Sequence, residues 1–222
     1  RHMDQTAQRF CIVRSVIKVR YTKYMIDKIN LNDKEFVPTE ALLPSLIHYL
    51  EKSGGSHYSV TMVAHLFNTG SKILFFTAYP MARENFMEQV GIDENKIAYV
   101  KTEEELKLNK DKQCIILDSG NQELLNFALD NLADINERVI LVKNIEKFEN
   151  EIILKVLAFN KVILSGHIVE CDLKDEISKK SYNSVVLFNA LDSISVGEIP
   201  SLKKYAAYFW TKDFQGVTKI EK

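Results

Sequence analysis

The sequence lacks most of the signatures that would assign it a chemistry. Its three cysteines, Cys11, Cys114 and Cys171, form no CxxC pair and no Cys/His spacing. That excludes a disulfide framework and a zinc site, and it fits a reducing, cytoplasmic compartment. No HExxH, GxSxG or GxGxxG is present, so metalloprotease, serine hydrolase and dinucleotide-enzyme readings have no support. No apolar run approaches the ~18–20 residues of a membrane span, and no signal peptide is visible. Charge of one sign is missing too: 29 basic against 30 acidic residues leave a net charge of −1. Such a balance steers the chain neither to nucleic acid nor to an anionic membrane. Nucleic acid is therefore expected only indirectly, through a partner.

What is present is an ordinary globular composition, 46% hydrophobic and 27% charged over 222 residues, enough for one ample α/β domain. The opening Arg1-His2-Met3 reads as a cloning remnant, with the natural start at Met3. Residues 1–44 read as an N-terminal helical extension and connector. In "QRFCIVRSVIKVRYTKYMIDKI", Phe10, Val13, Ile17, Tyr21 and Tyr24 recur at steps of three and four, with a strand as the alternative. Asn32 and Asp33 favour a turn, and Pro38 and Pro44 restrict their neighbours.

From residue 45 to 222 the chain alternates between solidly apolar runs and helical patterns. Strands are expected at 45–50, 71–80, 96–100, 113–119, 137–145, 161–168 and 183–191. Helices are expected at 59–70, 81–91, 102–110, 121–133, 146–160 and 173–180. This rhythm predicts a three-layer αβα domain around a mostly parallel sheet. The tail, 205–211 and 217–221 around Gly216, predicts an antiparallel hairpin on the sheet edge.

The stretch "KSGGSHYS" (52–59) lies after the first core strand and before the first helix, where free amides and a positive dipole end receive phosphates. A phosphate loop is GxxxxGK[ST]. Aligned on Ser59, it places Tyr58 at the lysine, His57 at the preceding glycine and Lys52 at the first glycine. Gly54, Gly55 and Ser56 keep the loop pliable. The plain reading is a glycine turn with Ser59 capping the helix.

The run from 45 to 80, followed by "CIILD", "KVILSG" and the terminal hairpin, resembles the core of a RecA-like P-loop ATPase, in the order of DNA-pumping or secretion motors. In that family a strand of four apolar residues ends in Asp, often followed by Glu. The resemblance implies Asp118 as the magnesium-associated carboxylate, with Ser119 where the glutamate belongs, and Ser165 as the residue sensing the γ-phosphate. Gly54, Gly55, Ser56, His57, Ser59, Asp118 and Ser165 are thus the candidate phosphate and magnesium edge. With the lysine and glutamate absent, the expectation is a degenerate P-loop domain that serves binding or assembly, with no cofactor or only weak ATP and magnesium. Its partners would be copies of itself or true ATPase subunits.

Two alternatives stand beside it. One is a working NTPase in which Lys52, His57 or a neighbouring subunit's arginine, of the kind of Arg83, replaces the lysine. The other is a Rossmann-like interaction domain with no nucleotide site. His48 and His65 read as structural histidines, and His167 shares the strand edge with Ser165. Arg83 reads as a solvent-facing helix arginine, with an anion as the functional alternative. The aromatics Tyr208, Trp210 and Phe214 cover the core or anchor a protein partner.

Overall fold

The computed structural model describes residues 29–31, 34–91, 93–188, 206–211 and 215–219. The reading of 1–28 lies outside them. The described part of the connector is a short hairpin, β1 (Ile29–Leu31) paired antiparallel with β2 (Lys34–Phe36). A 3-10 turn follows at Glu40–Leu42. The turn reading at Asn32 and Asp33 lies outside the described residues.

The rest alternates as its apolar runs require. The strands are β3 (Ser45–Tyr49), β4 (Ile73–Thr77), β5 (Ile97–Val100), β6 (Cys114–Leu117), β7 (Val139–Lys143), β8 (Val162–Gly166) and β9 (Ser184–Phe188). Between them lie α1 (Gly55–Asn68), α2 (Pro80–Val90), α3 (Glu103–Asn109), α4 (Gln122–Asn131), α5 (Asn150–Leu157) and α6 (Lys174–Lys179). Local chemistry fixes several ends. Thr102 Oγ1 accepts the Glu105 amide at 3.2 Å, and Asn121 Oδ1 accepts that of Leu124 at 2.9 Å. Each is a side-chain cap on a first-turn donor. Pro80 opens α2, where its missing N–H costs nothing, and Gly91 closes it at a φ of 70°.

The tail forms β10 (Ala206–Thr211) and β11 (Gln215–Lys219), antiparallel to each other, with β10 antiparallel to β9. The nine-stranded sheet runs β11-β10-β9-β3-β8-β7-β4-β6-β5. The strand before the glycine loop lies between the last two parallel strands of the chain, a RecA-like order. Five-residue strands such as Ile73–Thr77 and Val139–Lys143 are buried throughout, as a parallel sheet covered on both faces demands.

Period-two alternation sends successive side chains into two cores. One holds Ile47, Phe75, Leu141 and Ile163 against Val60, Val63 and Phe67 of α1 and Phe86 of α2. The other holds Leu46, Leu74, Ile140 and Leu164 against α4, α5 and α6. Cys114 and Cys171 are buried, and Cys11 lies outside the described residues. His48 is 2% exposed, and its Nδ1 accepts the Ile168 amide at 3.1 Å. Tyr208 and Trp210 are half-buried and pack against the second core, while Phe214 lies outside the described residues.

The connections place one crevice. β3 leaves through α1 on the first face towards β4, whereas its neighbour β8 leaves through α6 on the other face towards β9. Chains departing in opposite directions from adjacent parallel strands open a gap at their carboxyl ends, where ligands bind in open α/β sheets. The glycine loop overhangs that gap.

Candidate functional site

The loop is shorter than the sequence reading made it. Helix α1 starts at Gly55, with Gly54 as its N-terminal flank at a φ of 97° and no side-chain cap. Only glycine takes that conformation without strain. Ser59 therefore does not cap: it lies inside α1, buried, with Oγ donating to the Ser56 carbonyl at 3.0 Å. Tyr58 is likewise a helix residue, its ring packed on Phe188 at 5.5 Å. His57 sits in the first turn on the exposed side. With the helix start as reference, a GxxxxGK[ST] frame runs from Tyr49 to Ser56. It puts Tyr49 at the first glycine, Gly54 at the second, Gly55 at the lysine and Ser56 at the hydroxyl.

Register decides what lies beneath. Ile47 pairs with Ser165, Ser165 with Lys143, and Lys143 with Thr77. In-register residues of parallel strands point to one face, here the face under α1. The outermost row of that apolar face is thus the polar series Ser165, Lys143, Thr77. Tyr49, two residues beyond Ile47, projects over it. Asp118 is not in this group. It follows β6, which β8, β7 and β4 separate from β3, a distance of about 19 Å at ~4.8 Å per strand. There it accepts a hydrogen bond from Tyr99, whose ring also carries the Arg83 guanidinium 4.2 Å from its centroid. Arg83 therefore pairs with an aromatic face of the sheet edge.

The strand that does reach the crevice is β7. "VILVKN" is four apolar residues followed by Lys143 and Asn144, the same form as "CIILD" with an amine and an amide after the apolar run in place of a carboxylate. Lys143 is 3% exposed. Its Nζ donates to the Tyr49 hydroxyl at 3.1 Å and to Asn144 Oδ1 at 3.3 Å. Asn144, left-handed at a φ of 64°, donates from Nδ2 to the same hydroxyl at 3.2 Å. Its Oδ1 also accepts from Thr77 Oγ1 at 3.1 Å. Ser56 and Ser165 stand beside the phenol, yet Ser165 Oγ is buried without completing a well-formed hydrogen bond. The Tyr49 ring meets His167 edge-on at 5.5 Å, and the Glu146 carboxylate takes the His167 amide at 2.9 Å.

Burial, followed by the Glu146 charge, holds the Tyr49 phenol well above its ordinary pKa, so it is neutral. Burial also pulls Lys143 down to about 8, against the opposing pull of Glu146. Lysine in an unfolded chain titrates near ~10.4. Between those values the unfolded chain holds a proton that the folded one lacks, so this residue's contribution to stability rises with pH across that window. Below it, the full penalty of a buried charge applies. Lys143→Met removes that penalty, about 3 kcal/mol, and orphans the Tyr49 and Asn144 partners at about 2 kcal/mol. A net gain of about 1 kcal/mol is expected in urea melts at pH 7. By pH 10 the gain should vanish or reverse, and an unchanged gain there would show that Lys143 is not a buried charge.

Of the predicted site residues, Gly54, Gly55, Ser56 and Ser165 converge on the crevice. Ser59, His57 and Asp118 do not line it. Tyr49, Lys143 and Asn144 are additions. Among the described residues, no cluster of three or more His, Cys, Asp or Glu could hold a metal ion, and no helix is long and apolar enough to cross a membrane.

Comparison with known proteins adds little. No protein-family model matches the chain, and no curated protein does. A solved structure to which it is similar is the pCW3 conjugation coupling protein TcpA, in its monomer form with ATPγS. The TM-score is 0.48 at 11% identity, covering 90% of this chain and 67% of that one. At that distance the likeness says nothing of activity, and the fold rests on the strand order itself.

Proposed function

We propose that this domain is a non-hydrolysing relative of the P-loop ATPases, acting in binding or assembly with protein partners, either copies of itself or active ATPase subunits. The observation that carries this reading is the charge of the crevice. Gly55 stands at the lysine position of the loop and brings no cation to the β- and γ-phosphates. Lys143 and Asn144 end the strand whose counterpart ends in carboxylates. Magnesium demands oxygen ligands, several of them anionic, and a buried ammonium in their place repels it. The residues present do not fit a magnesium–nucleotide complex, so no catalytic step is assigned to the site.

The reading predicts that purified protein neither binds nor hydrolyses magnesium–ATP. Phosphate release above that of a heat-denatured control, abolished by a change at Ser56, would overturn it.

A further inference from the structure

We infer that the Tyr49 side chain is a built-in occupant of the glycine-loop crevice, filling the place of a phosphate-bearing anion, and that the cation of this closed site is Lys143. The inference rests on the non-hydrolysing reading only in taking the crevice to exclude magnesium.

The placement of the ring comes first. A Cβ on Gly55 would stand 2.3 Å from Tyr49 Cβ, 2.6 Å from Cγ and 2.8 Å from Cδ1. The ring therefore begins directly against the helix start, where only glycine leaves it room. It ends 3.1 Å from Lys143 Nζ and 3.2 Å from Asn144 Nδ2, so it spans the mouth of the crevice from α1 to β7. In the frame set by the helix start, this bulky residue occupies the first glycine position of the phosphate loop.

The groups around the hydroxyl are donors in excess of what one phenol can use. Lys143 and Asn144 both donate to its oxygen, and Ser56 lies beside it. Ser165, 0% exposed, has its hydroxyl left without a completed hydrogen bond. Lys143 has a third N–H for which there is no carboxylate within ion-pair distance among the described residues. A buried ammonium whose hydrogen-bond partners are neutral, with the Glu146 charge acting on it only from beyond ion-pair distance, is costly, and a chain selected only for stability has no use for one here. An oxyanion with several lone pairs would satisfy this set better than a phenol. The uncapped first turn of α1 would contribute amides from the other side. Because the cation comes from the sheet, such an anion needs no metal.

The test is a calorimetric titration with inorganic phosphate at constant ionic strength. Wild-type protein should give no heat up to about 10 mM. Tyr49→Gly should bind phosphate near about 1 mM or tighter, equally with magnesium or with EDTA. Adding Lys143→Met should weaken that binding at least about tenfold. Tyr49→Leu fills the space against Gly55 but stops short of Lys143. It should bind as well, and it serves if the glycine variant does not fold. A folded variant of either kind that takes up no phosphate would overturn the inference, as would binding indifferent to Lys143→Met. Equal binding by wild type would also overturn it while leaving the non-hydrolysing reading intact. ATP turnover by wild type would instead strike at that reading.

Discussion

Gly55→Ala is expected to lower stability by about 2–3 kcal/mol, although alanine is the better helix former by about 1 kcal/mol. Gly55 lies in the first turn of a helix, so its backbone conformation does not call for glycine. The sign is decided by space. The added carbon would stand 2.3 Å from Tyr49 Cβ, an atom fixed to the backbone of the central strand that cannot swing aside. Relief requires the loop and β3 to part by about 1 Å or more, which costs as overpacking does. In a Tyr49→Gly background the obstacle is gone, and the same substitution should be neutral or slightly stabilising. The double-mutant cycle therefore has an expected coupling of about 2 kcal/mol or more. Additive effects would show that the ring does not press on the helix start, and the occupied crevice would fall with it.

Arg138→Ala should cost more, about 3–5 kcal/mol, which in a domain of this size corresponds to roughly 10 °C in Tm. Arg138 is 0% exposed and precedes β7, at the amino ends of the parallel strands, away from the glycine loop at their carboxyl ends. Its Nε donates to Asp134 at 2.8 Å and its Nη2 to the Lys110 carbonyl at 2.7 Å. Its Nη1 reaches the carbonyls of Lys112, Ile73 and Gln113 at 3.0, 3.3 and 3.4 Å. Ile73, Lys112 and Gln113 lie at the amino ends of strands β4 and β6, and truncation takes the guanidinium donor from their carbonyls, of which Gln113 keeps only the Ile73 amide. Burial by itself raises Asp134, but the hydrogen bonds from Arg138 and from Lys72 outweigh it and hold the carboxyl below its usual range. The stability this carboxylate contributes is present above the ordinary aspartate pKa and is lost as pH falls through the depressed one. Arg138→Lys should recover less than half of the loss, because a point charge cannot fork to carbonyls on two sides. Full recovery by lysine would mean that charge alone, and not the guanidinium geometry, matters there.

Much of the fold is legible in the residues. Solidly apolar runs such as "ILFFT" and "VILVK" announce buried parallel strands, and Thr102 and Gly91 mark helix ends by ordinary capping chemistry. The start of α1 is not legible, because Gly-Gly-Ser has poor helix propensity and offers no side-chain cap. Ser59 looks like a cap only because the first apolar residue follows it. The site is legible in half. "CIILD" and "VILVKN" share the same form, four apolar residues and then a polar group, and a search for a carboxylate selects the first. Which of the two reaches the loop depends on strand order. Lateral order in a parallel sheet is set by crossovers that pass behind other strands, and it leaves no mark in the local sequence. Tyr49 is missed for a related reason. An aromatic at a strand end reads as core until its contact with Gly55, six residues on, is known.

In the proposed reading, Tyr49 and the buried Lys143 stand in this crevice where a P-loop ATPase holds its magnesium nucleotide. The most direct test of that reading is a calorimetric titration of wild-type protein with ATP in the presence of magnesium, accompanied by an assay for released phosphate. The account predicts no saturable heat up to millimolar ATP and no phosphate above background. Micromolar, magnesium-dependent binding that disappears in Ser56→Ala would contradict it, and would mean that the crevice opens and recruits its metal ligands from elsewhere.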